Sequence, residues 1–281
     1  MLLLKMFIRG FYPTQLFGEL FIFRRFKYKN NNLKVIGLTR IRNEELIIND
    51  TLRHMEKHVD GVIIFDDNSY DKTIHEVSKN KNVMEIIINK KWKKDRIVEE
   101  TANRDVLLKS SKKYNPVYLF YFDADERFEG KIKEFLYKNL NSEFDSIKIR
   151  LFDAYITEND KNPVTNMTSL YNFRKYFGPE YRDIIMIWKN LDHICFEGTD
   201  AREPVGYNSY LQKFRCQHYG KSLSIEQWEE TCEYYYQNFP EPYKTKWKSR
   251  KGKAIHEASD FGRNLLEWTE LTGENILRLE G

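Results

Sequence analysis

The chain has 281 residues, enough for one large domain or for a domain with an appendage. Hydrophobic residues make up 41% and charged residues 31% of it, which excludes global disorder. The 46 basic and 42 acidic residues leave a net charge of only +4, so the composition does not favour a nucleic-acid partner. Cys195, Cys216 and Cys232 are odd in number and widely spaced, which favours a reducing compartment such as the cytoplasm over a disulfide framework.

The first 32 residues differ from the rest of the chain. Residues 1–28 are rich in aromatic and aliphatic side chains and basic near their end, and an Asn run at 30–32 follows as a joint. The segment lacks the features of a signal peptide, and no stretch approaches the roughly 18 apolar residues of a membrane span. We expect this arm to pack on the main domain. The alternative is peripheral membrane contact through residues 1–28, with the basic residues at the lipid headgroups.

A regular alternation of strand and helix patterns begins after the arm. Short apolar runs predict the strands, and apolar residues at helical spacing predict the helices between them. The predicted order is strand 33–39, helix 44–59, strand 61–65, helix 73–79, strand 83–88, helix 95–113 and strand 117–122. This alternation implies an α/β fold with a mostly parallel central sheet and helices on both faces.

After residue 126 the alternation weakens. Strands are predicted at 146–151 and 184–188, with polar loops between them. Two apolar stripes at helical spacing predict amphipathic helices near the end of the chain: Ile225, Trp228, Cys232 and Tyr235 for the first, and Phe261, Leu265 and Trp268 for the second.

The most informative residues stand at the carboxyl end of the strand 117–122, where Asp123 and Asp125 are separated by one small residue. Carboxylates at the mouth of a buried strand are costly unless a cation meets them. Mg²⁺ is usually held by one or two carboxylates together with phosphate oxygens of a substrate. The pair therefore predicts a divalent metal that holds a diphosphate. Polar clusters also follow the first two strands, and ligands of parallel sheets bind at these strand ends.

Three segments together resemble the family-2 glycosyltransferases of GT-A fold. They read VIGLTRIRNEE at 35–45, VIIFDDNSYDKT at 62–73 and YFDADE at 121–126, and their order and spacing match over about residues 33–130. The resemblance implies a Rossmann-like GT-A fold, with a nucleotide-sugar-binding half at 33–130, an acceptor half at 131–220 and a helical extension at 221–281. The arm 1–32 precedes this catalytic domain of residues 33–220.

The resemblance gives roles to residues near the first two strands. Thr39 and Glu44 stand where the first loop of such enzymes lines the nucleotide pocket, and Arg40 is assigned to the same pocket. Asp67 matches the aspartate that accepts a hydrogen bond from the base. A carboxylate suits the imide N–H of uracil, which favours a UDP-linked donor. The alternatives are a structural ion pair for Arg40 and, for segment 66–69, a turn that caps a helix.

The third motif and the helix before it are assigned in the same way. Asp123 matches a residue near the ribose and the metal, and Asp125 matches the direct metal ligand. Arg96 or Arg104 stands where the family often places a basic residue near the nucleotide, since arginine offers forked donors to phosphate. The alternative is that the two aspartates are surface charges after a strand and that Arg104 is a charge on a helix surface.

The second half of the chain must supply a general base and could complete the metal site. An inverting transferase needs a base beside the acceptor hydroxyl, and the charged loop 196–204 suggests Asp200, with Glu197 as the next candidate. Some relatives bring a late histidine back to the metal, which points to His218. An imidazole ligand is more natural for Mn²⁺ than for Mg²⁺, and the alternative for His218 is a structural hydrogen bond.

The expected function is metal-dependent transfer of a sugar from a nucleotide-diphosphate donor, with inversion. Mn²⁺ or Mg²⁺ is the expected cofactor, and the acceptor is a hydroxyl of a glycan or of a lipid-linked saccharide. No nucleic acid is expected as a partner. The expected location is the cytoplasm, with the membrane surface as the alternative for the arm. Two other functions stay open: an inactive GT-A-like glycan-binding or scaffold protein, and a phospho- or nucleotidyltransferase that uses the same two aspartates.

Overall fold

The computed structural model describes residues 6–17, 19–28, 33–91, 93, 95–199 and 201–279. These residues form one twelve-stranded sheet with helices packed against it. Its strands are β1 (Phe11–Phe17), β2 (Leu20–Arg25), β3 (Val35–Ile41), β4 (Gly61–Asp67), β5 (Val83–Asn89), β6 (Tyr118–Tyr121), β7 (Glu126–Glu129), β8 (Ser146–Ala154), β9 (Tyr176–Lys189), β10 (Tyr210–His218), β11 (Leu266–Glu267) and β12 (Leu277–Arg278). The α-helices are α1 (Ile48–Met55), α2 (Thr73–Lys79), α3 (Arg96–Lys112), α4 (Ile132–Lys138), α5 (Ile225–Asn238) and α6 (Tyr243–Lys248).

The strand order places a switch point at the centre of the sheet. The order is β1-β2-β5-β4-β3-β6-β9-β8-β10-β7, with β11 and β12 both paired to β9. Strands β5, β4, β3 and β6 are parallel to their neighbours within this group, whereas β9 runs antiparallel between β6 and β8. Strands β4 and β6 flank β3 on opposite sides, so the strand order reverses at β3. The carboxyl ends of β3 and β6 therefore frame the crevice where α/β sheets bind ligands.

Alternate residues of the central strands enter two separate cores, one on each face of the sheet. Val62 and Ile64 of β4 pack in the core that includes residues of α1 and α2, whereas Ile63 and Phe65 pack in the core that includes residues of α3. These side chains are buried, and each such burial stabilises the fold by about 1.5–3 kcal/mol. The predicted α/β class, with a parallel central sheet and helices on both faces, is confirmed.

Part of the N-terminal arm belongs to this sheet. Strands β1 and β2 form an antiparallel hairpin, and β2 pairs antiparallel with β5 over Leu20–Arg24. The Arg24 guanidinium donates to the buried Glu85 carboxylate at 2.9 Å, and Arg25 donates to the carbonyl of Val83 at 2.9 Å. Within the described residues, the arm therefore extends the sheet beyond β5. None of the helices among these residues is both long enough and apolar enough to cross a bilayer.

Some predicted elements differ from the observed ones. The helix predicted at 44–59 begins only at Ile48, since Asn43 has a positive φ of 56° and the residues after it form a turn. The amphipathic helix predicted from Phe261, Leu265 and Trp268 is wrong. That segment turns through Gly262, which has a φ of 73°, and continues as β11 and a 3₁₀ turn. Strands β7 and β10 and helix α4 were not predicted.

The first predicted helix of the C-terminal extension is present as α5. Ser224 caps it by accepting a hydrogen bond from the backbone N–H of Gln227 at 3.1 Å. The ring of Tyr235 stacks on Trp247 of α6, with centroids 4.6 Å apart and planes within 10°. Trp228, from the same predicted stripe, lies 6.0 Å from Trp247. The aromatic residues of the stripe thus pack between α5 and the segment that follows it, and Trp228 is buried there.

Candidate active site

The acidic motif occupies a tightly bonded turn between β6 and β7. The backbone N–H of Asp123 donates to the Glu126 carboxylate at 2.8 Å, and the carbonyl of Ala124 accepts from the Thr51 hydroxyl of α1 at 2.5 Å. The carbonyl of Asp125 accepts from the backbone N–H of Tyr219, which follows β10, at 2.9 Å. Three separate elements therefore fix this turn at the carboxyl end of β6.

Asp125 meets His218 at the point where β8 and β10 end. The His218 Nε2 atom lies 3.5 Å from Asp125 Oδ2, while its Nδ1 lies 2.6 Å from Asp153 Oδ1. The parallel pairing of β8 with β10 places Asp153 directly beside His218. Burial alone would lower the pKa of His218, but the Asp125 and Asp153 carboxylates outweigh burial and raise it to about 10.

Gly220 keeps the space between these two side chains open. A Cβ atom on this glycine would lie 2.7 Å from Asp125 Oδ2 and 2.9 Å from His218 Nε2, closer than real Cβ contacts. The other carboxylate oxygen of Asp125, Oδ1, is buried and has no hydrogen-bond partner among the described residues. Asp125 thus keeps acceptor capacity that the surrounding protein does not use.

Asp153 anchors the outer side of His218. Its carboxylate lies 2.7 Å from the Lys221 ammonium and 2.8 Å from the Arg182 guanidinium. Burial would raise the pKa of Asp153, but these two cations outweigh it and hold the pKa well below its usual range. The Asp153 carboxylate, in contact with Nδ1, therefore fixes the orientation of the imidazole ring. The residues described here, which omit Asp200, contain no ready-made group of three or more His, Cys, Asp or Glu ligands for an ion.

Asp123 faces a different partner, Arg202, from the loop between β9 and β10. Arg202 Nε lies 3.5 Å from Asp123 Oδ2, and Arg202 Nη2 donates to Glu126 Oε1 at 2.5 Å. Burial opposes ionisation of Asp123, but Arg202, followed by Arg104 and Arg40, lowers its pKa below the ordinary value. The two aspartates of the motif thus have separate surroundings, one beside an imidazole and the other beside a guanidinium.

Asp67 lies at the end of β4 in a saturated network. Its Oδ2 accepts from Arg40 at 3.1 Å and from Arg96, and its Oδ1 accepts from the Asn89 side chain at 3.4 Å. The Asp67 side chain has no exposed surface, whereas 17% of the Arg40 side chain is exposed. Arg40 also pairs with Glu100 of α3 at 3.0 Å. The structure thus brings three of the predicted nucleotide-binding residues together, with Arg40 at the accessible edge.

Of the two other residues predicted for the nucleotide pocket, Thr39 lies within β3 and Glu44 lies in the segment that follows this strand. The Thr39 side chain is buried, and its hydroxyl has no partner among the described residues. The backbone N–H of Glu44 donates to the Thr73 hydroxyl at 2.7 Å. Burial, followed by the nearby Asp125 and Asp123 carboxylates, raises the pKa of Glu44 well above its usual range. The charge of the acidic motif therefore acts on Glu44.

Arg104 has a mainly structural environment. Its Nε donates to the Tyr121 hydroxyl at 3.1 Å, and its Nη1 donates to the carbonyl of Ala201 at 3.1 Å. The side chain is buried and joins α3 to β6 and to the loop that carries Arg202. Its charge acts on Asp123, but its hydrogen bonds hold the walls of the site.

The two candidates for the general base have different standing. Glu197 is exposed, and its carboxylate accepts from the Cys195 thiol at 3.2 Å. Asp200 lies outside the described residues. The assignment of the base to either residue stays a prediction.

The C-terminal extension reaches the first loop. The Arg42 guanidinium lies 6.0 Å from the ring centroid of Tyr234 of α5 and also forms a hydrogen bond with this residue. Helix α5 thus covers part of the crevice near Arg40 and Arg96, whose charges act on Tyr234. Sequence analysis predicted the helix but not this contact.

Sequence analysis also missed Arg202, Asp153 and Gly220. Arg202 lies in the charged loop 196–204 that drew attention to Asp200, so the segment was noticed but not this side chain. Asp153 follows the predicted strand 146–151, and the rule that ligands gather at strand ends could have found it. Nothing in the sequence alone distinguishes Gly220 from an ordinary turn glycine.

No family profile and no characterised protein sequence matches the chain. Among solved structures the chain is similar to S. aureus TarS, with a TM-score of 0.38 and 15% identity over 77% of this chain and 42% of TarS. It is similar to HddC from Yersinia pseudotuberculosis, with a TM-score of 0.38 and 13% identity over 72% of this chain and 99% of HddC. It is also similar to mannosyl-3-phosphoglycerate synthase from Rubrobacter xylanophilus, with a TM-score of 0.28 and 14% identity over 50% of this chain and 47% of that one. The chain spans less than half the length of TarS.

Proposed function

We propose that this chain is a metal-dependent glycosyltransferase that moves a sugar from a nucleotide-diphosphate donor to a hydroxyl group. The observation that carries the proposal is the facing pair of Asp125 and His218 across Gly220, beside Asp123 at the switch point of the sheet. This is the place where α/β folds bind ligands, and it supplies the carboxylate and imidazole groups that a divalent cation needs.

The residues present fit a divalent cation. Asp125 and His218 would hold it, with Asp123 alongside, and Mn²⁺ suits an imidazole ligand better than Mg²⁺ does. His218 would bind in its neutral form, so cation binding would release the proton that Asp125 and Asp153 favour on the ring. The unpartnered Asp125 Oδ1 and the space that Gly220 leaves open both support this assignment. Asp153 fixes the His218 ring from its outer side, as carboxylates commonly do behind a metal-binding histidine. When bound, such a cation neutralises the negative charge that develops on the departing nucleotide diphosphate.

The protein itself would position the donor. Arg40 presents a guanidinium edge to the crevice, and Asp67 and Glu100 hold that guanidinium in place. We propose that the nucleotide lies along this edge, with its diphosphate toward Asp125. A UDP-linked donor is favoured by the family resemblance. The acceptor is a hydroxyl of a glycan or a lipid-linked saccharide, and Asp200 or Glu197 removes its proton in an inverting displacement.

A donor screen tests this function. The purified protein would be incubated with UDP-, GDP-, CDP- and dTDP-linked sugars, with Mn²⁺, with Mg²⁺ or with chelator, and release of the nucleoside diphosphate would be followed. We expect metal-dependent release from one donor class. Metal-dependent nucleotide binding without turnover of any donor would indicate the inactive binding protein. Release of pyrophosphate from a nucleoside triphosphate in the presence of a sugar phosphate would indicate a nucleotidyltransferase instead.

A further inference from the structure

Arg202 is held between two carboxylates at the entrance of the acidic motif. Its Nη2 donates to Glu126 at 2.5 Å, its Nε lies 3.5 Å from Asp123, and its guanidinium carbon lies 4.9 Å from the ring centroid of Tyr121. Only 23% of its side chain is exposed. A guanidinium stays charged at any ordinary pH, so Arg202 is a fixed cation within the proposed active site.

The loop around Arg202 is tied to the main fold on both sides. The backbone N–H of Ala201 donates to the Thr101 hydroxyl of α3 at 3.0 Å, and the Ala201 carbonyl accepts from Arg104 at 3.1 Å. Glu203 accepts from the backbone N–H of Ile185 in β9 at 2.7 Å. The guanidinium is therefore positioned before any ligand arrives, which is the arrangement that makes electrostatic stabilisation efficient.

One nitrogen of this guanidinium remains unused. Arg202 Nη1 is buried and has no hydrogen-bond partner among the described residues. It carries two N–H donors, and leaving charged donors buried without an acceptor costs free energy. The two protein carboxylates engage Nε and Nη2 only. Nη1 is therefore available to donate to an anionic acceptor from a ligand, since the described residues supply none.

We propose that Arg202 Nη1 donates hydrogen bonds to the diphosphate of the donor and stabilises it as the leaving group. This inference rests on the proposed function. A cation at Asp125 and His218 would neutralise part of the diphosphate charge, and Arg202 stabilises the remainder. Asp123 and Glu126 then serve as positioning residues for Arg202. Planar forked donors of this kind match phosphate oxygens better than an ammonium group does.

The group transfer that Arg202 assists is balanced as follows. The acceptor oxygen forms a bond to the anomeric carbon of the donor sugar, and the proton of that hydroxyl passes to the general base. The bond between the anomeric carbon and the oxygen of the β-phosphate breaks, and its electron pair stays on that oxygen. Arg202 transfers no proton; it donates hydrogen bonds to the negative charge that appears on the departing diphosphate.

Calorimetric titration tests this assignment without relying on turnover. Inorganic pyrophosphate, UDP and uridine would be titrated, in Mn²⁺ and in chelator, into the wild type, Arg202→Gln and Arg202→Lys. In Mn²⁺ we expect Arg202→Gln to bind pyrophosphate and UDP about tenfold or more weakly, because a charge-assisted hydrogen bond is lost. Uridine affinity should not change. The affinity of Arg202→Lys for pyrophosphate and UDP should lie between those of the wild type and Arg202→Gln. Lys112→Gln is the matched control, since Lys112 ties Asp192 of the same loop to α3.

A second variant separates binding from folding. Arg202→Gln leaves Asp123 and Glu126 without their cation, which can destabilise the protein. In Arg202→Gln with Glu126→Gln, one of these charges is removed together with the arginine. We expect this double variant to melt close to the wild type and still to bind pyrophosphate weakly.

Four outcomes would overturn the assignment. Wild-type affinity for pyrophosphate in the folded double variant would reduce Arg202 to a structural ion pair. Equal losses of uridine and UDP affinity in Arg202→Gln would show a general distortion of the pocket. If the wild type binds neither UDP nor pyrophosphate with or without Mn²⁺, the proposed function fails as well. If the wild type binds them and Arg202→Gln binds them equally, only the role of Arg202 fails.

Discussion

Asp67 and Asp125 both lie at the carboxyl ends of parallel strands, yet their surroundings give them different roles. Asp67 is fully buried, and three protein donors already occupy its two oxygens. About 24% of the Asp125 side chain is exposed, and one of its oxygens has no partner among the described residues. The comparison teaches that an aspartate at a strand end is a ligand site only where the protein leaves its acceptors unused.

Replacing Asp125 gives the largest expected effect on turnover. In Asp125→Asn the proposed cation loses its charged ligand, so we expect turnover of the donor to fall about 10³-fold or more. The melting temperature should fall only moderately, since the variant loses the charge of Asp125 beside His218 but no salt bridge to Lys or Arg. Initial rates with saturating Mn²⁺ and a thermal melt measure the two quantities. The exposed Asp192→Asn is the control, and full activity in Asp125→Asn would refute the metal role.

Replacing Asp67 should mainly lower stability, in contrast to the loss of turnover expected in Asp125→Asn. In Asp67→Asn the buried Arg96 and the partly exposed Arg40 lose their shared negative partner, so we expect the free energy of unfolding to fall by about 3 kcal/mol. Urea denaturation of the variant and the wild type measures this loss. An unchanged midpoint together with lost nucleotide binding would show that Asp67 acts directly on the ligand, and the contrast between the two aspartates would be wrong.

A substitution at Gly220 tests whether Asp125 and His218 bind a cation. In Gly220→Ala the added Cβ meets Asp125 and His218, so we expect Mn²⁺ affinity to fall about 10- to 100-fold, as for other changes that displace ligands. Titration of Mn²⁺ followed by paramagnetic broadening or calorimetry gives the affinity without an assay of turnover. Gly252→Ala is a control glycine with open space around it, although its positive φ will cost some stability.

The smallest expected effect concerns α5, the helix that contacts Arg42 near the proposed nucleotide site. Tyr234→Phe keeps the ring over Arg42 and removes only the hydroxyl, so we expect a loss of about 1 kcal/mol or less in stability. The same variant should weaken nucleotide binding only a few-fold. A loss larger than that of Asp67→Asn would mean that α5, and not the arginine network, organises this end of the crevice.

The sequence was most informative where structure depends on local pattern. Strands β3 to β6 and the helices between them follow continuous apolar runs and helical spacing, so the parallel centre and the place of Asp67, Asp123 and Asp125 could be predicted. The partners of those residues could not. Asp153 and His218 are 65 positions apart and meet only because β8 and β10 pair in parallel.

The least predictable element is β10 itself. It reads YLQKFRCQH, a mostly polar run, and several of its residues are exposed. The register with β8 shifts between Gln212 and Arg215, and Phe214 in that bulge has a φ of 72°. The segment shows neither an alternation of apolar and polar residues nor a turn residue that would predict such a strand. The role of Arg40 shows the same limit, since its partners Asp67 and Glu100 come from β4 and α3.

The hairpin β1–β2 has a consequence for any attempt to shorten this chain. It covers the outer edge of β5 and brings Arg24 to the fully buried Glu85. Cutting the chain after residue 28 would leave a row of unpaired backbone N–H and C=O groups along β5, the kind of edge that recruits other chains. We therefore expect the hairpin to keep the protein soluble by covering this edge, although in the strand order it lies near the opposite end of the sheet from β10.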